Sequence, residues 1–178
     1  GAGCGGGGDE SGDLIAFTSL RDGTVEEVFV MNADGTEVRQ LTDDDGDYDS
    51  DPTWSPDGSE IAFDSDREWN IDDYYRDDEV LVMNADGTEV RQLTDNDYDD
   101  ANPAWSPNGK RIAFEGVSGP DGGANIFVMN TDGTQVRQLT DNDDVWDASP
   151  AWSPDSKRIA FMRVDLYEKV EIFVMNAD

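Results

Sequence analysis

Apolar and polar positions along this chain follow a short programme that is written several times. In one copy, "PAWS" (103–106) is followed by the turn signal "PNG", and "RIAFE" (111–115) then alternates apolar with polar. After a variable loop comes "NIFVMN" (125–130), a nearly continuous apolar run of buried-strand type. "TDG" supplies a tight hairpin, its glycine taking a positive φ, and "QVRQLT" (135–140) closes the unit. No run sustains a helical period with caps. The pattern predicts four short antiparallel strands per copy and an all-β chain.

Three markers share one period. The Met-Asn pair recurs at Met31, Met83, Met129 and Met175, in steps of 52, 46 and 46 residues. The Ala-Phe pair recurs with Phe17, Phe63, Phe114 and Phe161, and a tryptophan before Ser-Pro recurs at Trp54, Trp105 and Trp152. A single four-stranded sheet cannot bury both of its faces, so such units stack side by side, as the blades of a β-propeller do. Trp105, Ile112, Phe114, Phe127, Val128 and Met129 are then expected between blades. On this reading the tryptophans and methionines are packing residues rather than a ligand platform.

The motifs "WSPDGSEIAF", "WSPNGKRIAF" and "WSPDSKRIAF", with "VMN.DG...RQLT" after them where the chain continues, resemble the TolB-type propeller repeat. The likeness runs from Asp13 to Asp178 and implies β-propeller blades of four antiparallel strands. Units are expected at 13–45, 51–95, 102–141 and 150–178, about three and a half blades. That is an incomplete ring, to be completed by further sequence or by neighbouring subunits. The family implies a cell-envelope or extracellular protein that binds other proteins; related blades also cover the active sites of prolyl-oligopeptidase-like enzymes.

Composition narrows the function. Forty-two acidic residues face 12 basic ones, a formal charge of -30, which repels phosphate backbones and argues against nucleic-acid partners. The chain has no histidine and one cysteine, so Ser-His-Asp and Cys-His catalytic units, the usual structural zinc sites and an internal disulfide are excluded. No apolar stretch approaches the roughly 20 residues of a membrane span. No G-x-S-x-G nucleophile motif occurs, and abundant carboxylates alone do not predict a glycosidase pair. The chain is read as non-catalytic.

Residues 1–12, "GAGCGGGGDESG", have the composition of a tether. "AGC" before a glycine run resembles a bacterial lipoprotein processing site, with Cys4 as the lipidated residue; an inert cysteine and an intermolecular disulfide are the other readings. A lipid anchor on Cys4 goes with an extracellular or periplasmic location at a bacterial membrane.

Each closing strand is followed by aspartates at alternating positions: Asp43, Asp45, Asp47 and Asp49; Asp95, Asp97 and Asp99; Asp141 and Asp143, with Asp147 further on. Ca²⁺ takes six to eight oxygen ligands, and alternating carboxylates on a tight loop can converge on one ion. The EF-hand pattern is matched only in part. A solvated acidic face with Asx-turns accounts for the same residues. Carboxylates a few ångströms apart repel by about 1 kcal/mol per pair, which favours a use for the charge. A second acidic stretch, "DREWNIDDYYRDDE" (66–79), mixes in Trp69, Tyr74 and Tyr75, an expected recognition patch for protein or carbohydrate.

Two functions compete. One is a protein-binding propeller with Ca²⁺ in its acidic inter-blade loops. The other is a subunit of a self-assembling extracellular filament, since open blade edges template strand pairing and contacts that do not close grow into fibres.

Overall fold

A computed structural model of the chain describes residues 3–5, 13–21, 23, 25–43, 46–66, 77–119, 123–142 and 145–178. Their regular structure is entirely strand. The first sheet holds β1 (Gly3–Gly5), β2 (Leu14–Ser19), β3 (Glu27–Asn32) and β4 (Arg39–Gln40). The second holds β5 (Asp49–Trp54), β6 (Glu60–Ser65), β7 (Glu79–Asn84) and β8 (Arg91–Gln92). The third holds β9 (Asp100–Trp105), β10 (Arg111–Val117), β11 (Ala124–Asn130) and β12 (Arg137–Gln138). The last has three strands, β13 (Trp146–Trp152), β14 (Arg158–Val164) and β15 (Val170–Asn176). Within each sheet, strands follow chain order and pair antiparallel. These are propeller blades, and among the described residues no sheet closes into a barrel.

The repeated residues explain the repeated sheet. In "IAF" the alanine points to one face and its two neighbours to the other, so each β-sheet is apolar on both sides. Ala16, Val28 and Val30 of the first sheet pack on Trp54, Ile61, Phe63 and Met83 of the second. Ala62, Val80 and Val82 of the second meet Trp105, Ile112, Phe114 and Met129 of the third. Ala113 and Ile126 of the third meet Ile159, Phe161 and Ala177 of the last. Small and β-branched side chains on one face thus receive large ones from the next, and the core is spread over three such seams.

The closing strands are only two residues long, although the closing run read from the sequence spans six. The reason lies in the threonine of "RQLT". Thr42, Thr94 and Thr140 present Oγ1, not a main-chain carbonyl, to the amides of Val28, Val80 and Ile126 at 2.9–3.0 Å. A side-chain acceptor ends the ladder without leaving a buried N–H unpaired. The first strands, by contrast, begin earlier than "PAWS" suggests, because the aspartate three residues before the proline is already paired: Asp49 faces Ser65 and Asp100 faces Gly116. Within the glycine-rich segment read as a tether, β1 pairs in register with β2, Cys4 opposite Ile15.

Candidate functional site

The acidic connections separate into two populations. Asp43, Asp95, Asp97, Asp99 and Asp141 are exposed, and Asp47 is half-buried. Asp49 and Asp147 are completely buried where they open β5 and β13. Asp45 and Asp143 lie outside the described residues. The position equivalent to Asp49 and Asp147 is Asp100, three residues before Pro103, and not its neighbour Asp99. Alternating spacing pointed past it; the frame D-x-x-P-x-W, shared by Asp49, Asp100 and Asp147, singles it out.

Asparagine connects these buried acids to the preceding strands. Asn96 donates its amide to Glu79 Oε1 at 2.7 Å and its side-chain nitrogen to Asp100 Oδ2 at 2.7 Å. Asn142 repeats the arrangement, with Asn125 Oδ1 at 3.0 Å and Asp147 Oδ2 at 3.1 Å. Asp147 also accepts from Arg163 Nε and Nη2, each at 2.6 Å. Among the described residues no three carboxylates, cysteines or histidines gather closely enough to hold a metal ion.

A second set of carboxylates ties neighbouring sheets together. The first strands carry bulges at Asp51, Asn102 and Ser149, whose φ angles are 46°, 53° and 53°. A left-handed residue turns its N–H out of the ladder, and at Asn102 and Ser149 an acid on the preceding sheet accepts it. Asn102 N donates to Asp64 Oδ1 at 3.0 Å, and Ser149 N to Glu115 Oε2 at 3.3 Å. Ser50 Oγ completes Asp64 at 2.6 Å; Trp146 Nε1 and Asn102 Nδ2 complete Glu115. Neither acid is marked by the sequence, since each occupies an ordinary polar slot after "IAF".

Burial disfavours the charged form of these groups. It pushes Asp64 up to about 7 and Glu79 up to about 7, outweighing the hydrogen bonds that each accepts. Asp100 also rises to about 7, from burial and then from the nearby Glu79 carboxylate, and burial raises Glu115. Glu79 Oε2 is buried with no hydrogen-bond partner. These pKa values suit proton exchange near neutrality, but Asp64, Asp100 and Glu115 are engaged by donors that tie strands and sheets together. In the hairpin turns the opposite holds: Asp34, Asp86 and Asp132 are exposed, accept from the threonine two residues on, and are held below the usual carboxylate range. They are Asx-turns.

Trp69, Tyr74 and Tyr75 lie outside the described residues, as does the side chain of Cys4. The described aromatic and aliphatic exposure is instead concentrated on the last sheet. Ile172 is 71% exposed and Val174 59%, whereas the equivalent Val28, Val30, Val80 and Val82 are 0% exposed. Leu166 and Tyr167, in the turn before β15, are also open to solvent. No helix among the described residues is long and apolar enough to cross a membrane.

Comparison with known proteins agrees with this architecture. The uncharacterized peptidase YuxL of Bacillus subtilis is 44% identical over 63 residues, 35% of this chain and 9% of that protein. A TolB of Agrobacterium tumefaciens superposes with a TM-score of 0.77 at 22% identity, covering 92% of this chain and 57% of that one. A chain of the nidogen/laminin complex superposes with a TM-score of 0.69 at 13% identity, covering 96% of this chain and 63% of that one. The chain therefore spans less than two thirds of each. The TolB β-propeller domain model matches residues 72–178, and the chain belongs to that family.

Proposed function

We propose that this chain is part of a non-catalytic propeller of the bacterial cell envelope or exterior, and that it binds other proteins. The observation that carries the reading is the match to the TolB β-propeller domain over residues 72–178, and Leu166 and Tyr167 in the turn before β15 stand in solvent. Exposed apolar groups gathered in one place mark interaction surfaces. Support also comes from the fold it shares with TolB and with a protein solved in the nidogen/laminin complex.

The enzymatic alternative rests on the likeness to a peptidase, which covers 9% of that protein. Against it stand the missing histidine and the use of the buried carboxylates in sheet-to-sheet hydrogen bonds. Calcium at the acidic connections is a separate part of the proposal, supported by carboxylate density and by a net charge that cations relieve.

Photocrosslinking tests the reading. A photoreactive amino acid in place of Tyr167, illuminated in intact cells, gives discrete protein adducts if the last sheet is a binding surface. Illumination that leaves only the uncrosslinked chain overturns it.

A further inference from the structure

The three junctions between sheets share one pair of acidic positions and treat it differently. A strand-opening aspartate stands opposite the residue two places after the "IAF" phenylalanine: Asp49 opposite Ser65, Asp100 opposite Gly116, Asp147 opposite Arg163. The preceding sheet contributes Glu27, Glu79 or Asn125, near the start of its third strand. At the third junction the neutral Asn125 accompanies Asp147, and the Arg163 guanidinium matches the one buried carboxylate. At the first, Thr42 Oγ1 donates to Glu27 Oε2 at 2.6 Å. At the second, Glu79 and Asp100, each 5% exposed, meet where Gly116 brings no side chain. Asn96 donates to both acids, yet Glu79 Oε2 keeps no hydrogen-bond partner.

What the second junction lacks is visible at the third. There Arg163 bonds the Asp147 carboxylate while its guanidinium lies 4.7 Å from the Phe173 ring centre and 5.7 Å from that of Phe161. The matching rings, Phe114 and Phe127, stack in the same way, 5.4 Å apart against 5.8 Å for Phe161 and Phe173. A Cβ on Gly116 would meet both Asp100 Oδ1 and the Phe127 ring, so acid and ring share the space beside that bare backbone. The carboxylates and the aromatic shelf are in place, and the strand opposite Asp100 supplies no cation to join them. Phe127 and Val117 are only half-buried. The exposed Asp99 accepts from Val117 N at 3.1 Å through its carbonyl, which sets an acidic rim beside the site.

We propose that Glu79, Asp100 and the Phe127 ring form a binding site for an arginine side chain of a partner protein. The inference rests on the protein-binding reading and names the group that is recognised. A planar guanidinium offers forked donors to a carboxylate and a face to an aromatic ring, as Arg163 does within the chain. A lysine ammonium lacks the fork. A calcium ion would find two carboxylates here, short of the oxygen shell it takes. The guanidinium enters over the half-buried Phe127 ring, gives Glu79 Oε2 a donor and offsets the burial of two neighbouring acids.

Titration of the isotope-labelled chain with a capped Gly-Arg-Gly tripeptide, followed by amide shifts in NMR spectra, tests it. The amides of Asn96, Asp100, Gly116 and Phe127 should shift together and saturate. A tripeptide with citrulline, which keeps the shape and loses the charge, should leave them unmoved. Glu79→Gln preserves size, removes one carboxylate and should weaken binding about ten-fold. Gly116→Arg supplies the guanidinium from within, as Arg163 does, and should abolish the response; if that variant does not fold, Glu79→Gln decides. Shifts confined to the exposed aspartates, equal shifts with a lysine tripeptide, or an affinity unchanged in Glu79→Gln would overturn the inference. Larger shifts of the same four amides with calcium alone would assign the site to a metal ion and overturn it too. Photocrosslinked adducts at Tyr167 without any arginine response would leave the binding function standing and remove this ligand.

Discussion

Arg163 grips Asp147 with two hydrogen bonds of 2.6 Å, on a carboxylate that is completely buried. Asn142 adds a third at 3.1 Å. Arg163 is raised above its ordinary value by this hydrogen bonding. Removing the guanidinium strands a buried charge, so Arg163→Met is expected to cost about 3 kcal/mol in denaturant unfolding. Adding Asp147→Asn should restore much of the loss. A single variant as stable as the parent would show that Asp147 is solvated.

The turn glycines give a prediction with an internal control. Gly35 and Gly87 have similar φ angles, 84° and 90°, so alanine at either is strained by about 1 kcal/mol. A Cβ on Gly87 would also stand 2.9 Å from the Leu41 carbonyl oxygen, whereas one on Gly35 meets nothing. Gly87→Ala should therefore lower the melting temperature clearly more than Gly35→Ala. Equal losses would mean that the second sheet does not press on the first.

Stability should fall as the solution turns from mildly acidic to alkaline. Asp64, Glu79 and Asp100 titrate at about 7 when folded and near 4 when unfolded, so between these values the folded chain holds more protons. Their contribution is complete below the unfolded value and disappears as pH rises through about 7. The exposed Asx-turn aspartates, lowered when folded, act oppositely and lose their contribution on the acid side. A melting temperature higher at pH 5 than at pH 8 is expected, with a smaller difference in Glu79→Gln. A flat profile would mean that these acids are hydrated.

The blades were legible because their chemistry is periodic. Ile112, Phe114 and Met129 belong to patterns copied along the chain, and they pack between sheets as the pattern requires. Asp64 and Glu115 were not legible. What places them is the left-handed turn at Asn102 and Ser149 on a neighbouring sheet, a feature that has no local signature in their own strands. Asp100 was within reach, but alternation drew attention to Asp99; a strand-opening position depends on pairing rather than on spacing. The short closing strands hide for a similar reason, because a threonine hydroxyl takes over the ladder.

Calcium and magnesium distinguish bound ions from screening. Calcium accepts irregular shells of six to eight oxygens, and magnesium demands a tight octahedron. At matched ionic strength calcium should raise the melting temperature more than magnesium does, and Asp95→Asn with Asp97→Asn should shrink the difference. Identical shifts for both ions would reduce the acidic connections to a screened face.

Residue-resolved hydrogen exchange reaches the account at its centre, since stacked sheets that bury one another's faces are its claim. The amides of Val28, Val80 and Ile126 bond to threonine hydroxyls, and their side chains lie on faces that the next sheet covers. These three should exchange slowly, while the amide of Tyr167, in a turn open to solvent, should exchange fast. Protection at Val28, Val80 and Ile126 no greater than at Tyr167 would contradict the stacking.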